Sequence, residues 1–164
     1  MIGGIAVQRW GEPRQTRYVD VTLLTGLGGE EAFVDPILEH YPRFPDARRF
    51  ALERRVLLVQ TRANIPLDIS LGGLPFEEAV IDRSTPFEIE PGVRLTTCSA
   101  EDLVILKAFA GRPQDWLDVE GVIVRQGRAL DRGQVPAELR PLLELKEGTT
   151  AMRRVMDLFE KHLT

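Results

Sequence analysis

Cysteine and histidine are scarce in this chain of 164 residues, and each scarcity excludes a class of chemistry. The single cysteine, Cys98, rules out an intramolecular disulfide and suits a reducing compartment. It has no evident partner for nucleophilic work. His40 and His162 lie far apart with no cysteine or histidine at ligand spacing, which argues against zinc. No Ser-based nucleophile elbow is present. No apolar run approaches the roughly 18 residues of a membrane span, and no signal peptide is visible. These absences lead to the expectation of a cytoplasmic protein without a membrane partner.

What is present is an ordinary globular composition, 43% hydrophobic and 28% charged. The length fits one domain, or a compact domain with a helical appendage, and buries about two-thirds of the unfolded surface without a disulfide or structural metal. The net charge of −4 weighs against nonspecific nucleic-acid binding by the whole surface. Charge is uneven, however. Arg43, Arg48, Arg49, Arg54, Arg55 and Arg62 cluster against only Asp46 and Glu53, and Arg9, Arg14 and Arg17 form a second group. Such patches either contact phosphates or are solvated helix faces.

The hydrophobic pattern predicts a short helix from about Gly4 to Trp10, ended by Gly11-Glu12-Pro13. Ile2 before it has no evident partner. The natural start is therefore expected upstream, or the N-terminus is more exposed than usual. Tyr18 to Leu24 alternates and is rich in β-formers, predicting a strand. Helices are expected over Glu30 to His40, despite Pro36, and over Asp46 to Glu53. Arg55 to Gln60 and Leu67 to Leu71 read as a hairpin joined through Arg62-Ala63-Asn64. A helix over Phe76 to Asp82 and strands over Thr85 to Glu90 and Val93 to Thr97 complete the first part. Ser99 to Asp102 forms a capping box with Asp in the place of Glu or Gln. From there to Leu163 helices are punctuated by Pro113, Gly127, Gly133, Pro136, Pro141 and Gly148. The expected layout is α+β: a mixed β-sheet core with flanking helices over 1–98, then an all-helical region, 99–164, packed on it.

Three sets of residues could carry chemistry. Asp20 and Asp68 each lie in an otherwise apolar strand, where an unpaired carboxylate is costly. Either they share a cation, or they sit in solvent at a strand end or pair with arginines. Period-two alternation places Tyr18, Asp20 and Thr22 on one face. Lys107 shares a helix face with apolar residues, so it either snorkels or reaches a fixed anion. Asp115 and Asp118, at i and i+3 on the next helix, supply that anion or orient the lysine toward a substrate phosphate. Trp116, Leu117, Val122 and Ile123 are expected to form the packing face there. Gly26-Leu27-Gly28-Gly29 looks like a phosphate loop but lacks a P-loop lysine, and Glu30 and Glu31 would repel a phosphate; it reads as a turn.

Gly3-Gly4, then Trp10-Gly11-Glu12-Pro13-Arg14-Gln15-Thr16, Tyr18-Val19-Asp20, Asp68, and the segment from Glu101 through Lys107, Arg112, Asp115 and Asp118 occur in a telling order. Together they resemble the nucleotidyltransferase superfamily with the DNA polymerase β-like fold, most of all the AbiEii-type toxins and related small nucleotidyltransferases. The resemblance covers most of residues 2 to 125. It implies that Gly3 and Gly4 cradle a triphosphate and that Asp20 and Asp68 bind Mg²⁺ or Mn²⁺. Lys107 and Arg112 would contact the nucleotide, with Asp118 beside the lysine. The implied reaction moves a nucleotide from an NTP to an RNA (tRNA included) or protein hydroxyl, releasing pyrophosphate. The implied setting is a toxin–antitoxin or phage-defence system with a cognate antitoxin as partner. Tyr18 departs from the family pattern, in which a first carboxylate holds that place, and a phenol with a pKa of about 10 is a poor Mg²⁺ ligand. That departure supports the alternative of an inactive module that binds nucleotide or a partner. A third class is an interaction protein whose C-terminal helices form an oligomer face.

Overall fold

The computed structural model describes residues 1–41, 44–146 and 150–163; Arg43 and Gly148 lie outside the described residues. The described chain is α+β, with eight α-helices and two small sheets. The elements that place the cleft residues are α1 (Gly3–Trp10), β1 (Val19–Leu24), α2 (Glu31–His40), α3 (Ala47–Arg54), β2 (Val56–Gln60), β3 (Pro66–Gly72) and α4 (Pro75–Asp82). The hairpin β4 (Thr85–Glu90) and β5 (Val93–Thr97) follows. The remainder is helical: α5 (Ala100–Ala110), α6 (Pro113–Gln126), a short 3₁₀ turn at Gly127–Ala129, α7 (Gln134–Leu145) and α8 (Thr150–Leu163).

The first sheet is mixed, in the order β1-β3-β2, with β1 parallel and β2 antiparallel to the central β3. Alternation divides its faces. Ile69 and Leu71 of β3, Leu57 and Val59 of β2, and Val21 and Leu23 of β1 pack beneath Val34, Leu38, Ala47 and Ala51 of α2 and α3. The intervening residues, Asp20 and Asp68 among them, therefore face the opposite side. In register, Asp20 lies directly beside Asp68. The single mixed sheet expected from the sequence is thus two sheets, because β4 and β5 pair only with each other. Arg9 braces that hairpin, donating to the Thr85 carbonyl and Thr97 Oγ1 at 3.0 and 2.9 Å while stacking over Trp10.

A second, larger core joins Ala6 and Val7 of α1 and Val80 of α4 to the apolar faces of α5 to α8. Packing thus crosses the 98/99 division rather than stopping at it. Ser99 caps α5 as its spacing predicts, with Oγ accepting from the Asp102 amide at 3.1 Å. Pro136 and Pro141 do not break the chain; both lie within α7. Pro136 sits in the first turn, where amide donors have no helical partner in any case. Leu117 is not part of the α6 packing face, being 63% exposed, whereas Trp116, Val122 and Ile123 are buried. Nor is the N-terminus unusually exposed. Ile2 packs on the larger core and donates to the Asp20 carbonyl at 3.0 Å, and the Met1 amine donates to the Thr96 carbonyl at 2.7 Å. Among the described residues, no helix is long and apolar enough to cross a membrane.

Because Phe159 of α8 is 1% exposed inside the larger core, Phe159→Ala is expected to cost about 4 kcal/mol. Urea unfolding measures it; a loss below about 1 kcal/mol would mean that α8 is peripheral to that core.

Candidate functional site

A cleft of about 530 Å³ opens between β1, β3, the loop preceding β1 and the junction of α5 with α6. Gly4, Tyr18, Asp20, Asp68, Lys107, Arg112 and Asp115 all line it. A larger surface hollow beside α2 and α3 holds none of these residues.

The glycine pair earns its place sterically. Gly3 adopts φ +61°, and a Cβ there would lie 2.0 Å from Asp20 Oδ2. A Cβ on Gly4 would lie 2.5 Å from Thr16 Oγ1. Only glycine lets the start of α1 close onto β1 and its preceding loop. The Gly4 amide reaches Asp20 Oδ2 at 3.4 Å, a long hydrogen bond that aims the N-terminus of α1 at the carboxylate.

Asp20 and Asp68 are adjacent on parallel strands, and among the described residues neither forms an ion pair. Burial raises the pKa of Asp68 above the ordinary value, the neighbouring Asp20 charge raises it further, and Arg112 offsets part of this. Two hard oxygen-donor groups side by side, with their charge uncompensated by a contacting cation, fit a divalent metal. They number two, not three: among the described residues no group of three or more His, Cys, Asp or Glu comes together as a metal cluster. Tyr18, 53% exposed, lies just before β1, which begins at Val19 rather than at Tyr18 as expected.

Lys107 does not snorkel. It is 7% exposed, and its ammonium lies 2.9 Å from Asp115 Oδ1 and 2.8 Å from Asp118 Oδ2. Arg14 grips Asp118 bidentately at 2.7 and 2.8 Å. Asp115 is held by Arg112, whose Nε donates at 2.7 Å and whose amide donates at 3.2 Å. Burial alone would raise the pKa of both aspartates. Hydrogen bonds from Arg112 and Lys107 to Asp115, and from Arg14 and Lys107 to Asp118, outweigh it and hold both below the ordinary 3.8. Three cations thus surround two carboxylates, leaving positive charge next to the negative pair on the sheet.

The cleft brings Gly4, Asp20, Asp68, Lys107 and Arg112 together, with Gly3 packed behind Asp20 and Asp118 behind Lys107. Sequence reasoning missed the part of Arg14, whose partner lies 104 residues away. The Arg112–Asp115 contact did have a local signal, since Pro113 opens α6 and Asp115 sits at the third helical position to accept the Arg112 amide. Much of the arginine cluster is committed elsewhere. Arg48 bonds Asp35 and Glu31 of α2, Arg49 bonds Asp46, and Arg55 bonds Glu30. The expectation that only Asp46 and Glu53 oppose these arginines is therefore corrected: α2 and its start supply the counter-charges. The glycine turn after β1 lies apart from the cleft residues; its Gly28 amide donates to Glu30 at 3.1 Å. Cys98 is buried, its thiol pushed up to about 12, which suits packing rather than nucleophilic work.

Lys107→Met would leave two buried aspartates short of a counter-charge, and a loss of about 3 kcal/mol is expected in denaturant unfolding; an unchanged midpoint would show that the arginines suffice. Because both aspartates titrate below 3.8 when folded, their contribution is present above the unfolded value. It is lost as pH falls through the lower folded values. The thermal midpoint should therefore begin to drop below about pH 4, and a midpoint flat through the acid range would contradict the network. No protein-family model matches this chain, and neither does any curated protein.

Proposed function

We propose that this cleft binds a nucleoside triphosphate with Mg²⁺ or Mn²⁺ and that the protein is nucleotidyltransferase-like. On this reading the transferred nucleotide goes to an RNA or protein hydroxyl, in a toxin–antitoxin or phage-defence setting. The single observation that carries the proposal is the in-register pairing of Asp20 and Asp68 on adjacent parallel strands, facing a cleft rimmed by Lys107 and Arg112. Carboxylates so placed are suited to a hard cation. When bound, that cation would offset charge on the phosphate oxygens and activate the acceptor.

The chain's own residues divide the remaining work. Gly3 and Gly4 admit close approach of the α1 N-terminus to the negative end of the cleft. Lys107 spends two of its three donors on Asp115 and Asp118, so it supplies a fixed positive field and one further donor. Arg112 binds Asp115 through Nε and Nη2, which leaves the rest of its fork for phosphate oxygens. Arg17, exposed in the cleft lining and in no ion pair among the described residues, adds a further cation for the outer phosphates.

A second reading is favoured by one observation: Tyr18 contributes no carboxylate at the head of β1. The same cleft would then bind nucleotide or a partner without transferring anything to a separate acceptor.

Calorimetric titration with the four Mg²⁺–NTP complexes tests the binding on which both readings rest. Metal-dependent binding is expected, weakened about tenfold or more, roughly 1.4 kcal/mol, in Asp20→Asn. Affinity unchanged in that variant would remove Asp20 from the site, and no binding of any of the four would overturn the assignment.

A further inference from the structure

Tyr18 has no structural role that would explain it. Its side chain is 53% exposed, and among the described residues its phenol oxygen enters no hydrogen bond; only its backbone carbonyl does, accepting from Thr16 Oγ1 at 3.1 Å. Yet it lines the same cleft as Asp20, Asp68, Lys107 and Arg112. It stands two residues before Asp20, immediately ahead of β1. A phenol also carries its oxygen several ångströms farther from the backbone than a carboxylate does. From the wall of this cleft the hydroxyl would meet a phosphate bound beside Asp20 and Asp68.

We propose that Tyr18 is itself a nucleotide acceptor, so that the protein nucleotidylates its own cleft. The inference rests on the nucleotide-binding reading above. The co-reactant is a ribonucleoside triphosphate bound in the cleft. The Tyr18 phenol oxygen attacks the α-phosphorus, forming a phosphodiester between tyrosine and nucleoside. The bond from the α-phosphorus to the bridging oxygen breaks, and that oxygen leaves with its electron pair as part of pyrophosphate. The phenol proton passes to water, which reaches the half-exposed side chain. No oxidant or reductant is needed.

Several features favour the intramolecular acceptor. Tyr18 directly precedes β1 and is tethered two residues before Asp20, so the hydroxyl is near the reacting centre without a binding step of its own. Tyr18 is exposed, as are Gln15 and Arg17 in the same lining, so water reaches this part of the cleft. Lys107 and Arg112 line the same cleft and supply positive charge for the departing pyrophosphate. The product would occupy the cleft, which makes the reaction a single turnover per chain.

The test is intact-mass measurement of the full chain after incubation with each of the four ribonucleoside triphosphates and Mg²⁺ or Mn²⁺. Peptide mapping and parallel calorimetry of nucleotide binding accompany it. The expected result is a mass increase of one nucleotidyl group per chain (a nucleoside monophosphate less water), mapped to Tyr18 in the native protein and lost in Tyr18→Phe. An adduct mapped elsewhere, or one that persists in Tyr18→Phe, would overturn the assignment of Tyr18. Binding of a metal–nucleotide complex with no adduct would overturn self-modification while leaving the nucleotide-binding reading standing. Absence of binding would overturn both.

Discussion

The buried ammonium of Lys107 between Asp115 and Asp118 is the constraint on which the cleft depends. A lysine this deeply enclosed must find anions, because removing an ammonium from water costs several kcal/mol. The two aspartates face the same demand and cannot be met by one lysine. Arg14 and Arg112 close the account, one from the loop before β1 and one from the start of α6. Three separate stretches of chain are thereby tied together around a single group of charges. Such a network gains little over an apolar core in stability, but it fixes where its members can be.

That fixing is what gives the sheet its surroundings. One face of the β1-β3-β2 sheet is closed by α2 and α3, and the other carries Asp20 and Asp68 toward the α5–α6 junction. Parallel pairing puts the aspartates side by side, and partial burial, reinforced by the neighbouring Asp20 charge, raises the proton affinity of Asp68. A protein selected only for stability would not place two uncompensated carboxylates on neighbouring strands. Violations of that kind are concentrated at functional sites. Here the violation sits beside a surplus of positive charge, a division suited to a ligand that is itself polyanionic and metal-bound.

Tyr18 marks the one place where the cleft departs from a simple carboxylate site. The residue is exposed, its hydroxyl has no hydrogen bond among the described residues, and it stands immediately before β1. It differs from a carboxylate in two respects: it offers a nucleophilic oxygen in place of an anionic ligand, and its side chain is longer. The proposals for this protein turn on which of those differences matters.

Most of the element order was legible in the sequence, because it is written in short-range signals. Alternation marked β1; two apolar runs joined through a turn marked β2 and β3; Ser99 with Asp102 marked the start of α5; Pro113 marked the start of α6. The candidate residues Asp20, Asp68 and Lys107 stood out as charges in apolar periodicity, which burial makes anomalous. What the sequence could not supply was pairing. Nothing local states that Arg14 meets Asp118 across 104 residues, that α2 answers the arginines of α3, or that β4 and β5 leave the main sheet. Nor does it state that Pro136 and Pro141 fit inside one helix. Periodicity and capping are decided within a few residues, so the chain determines them alone. Register and charge pairing depend on which distant segments the two cores bring into contact, and only the tertiary structure decides that.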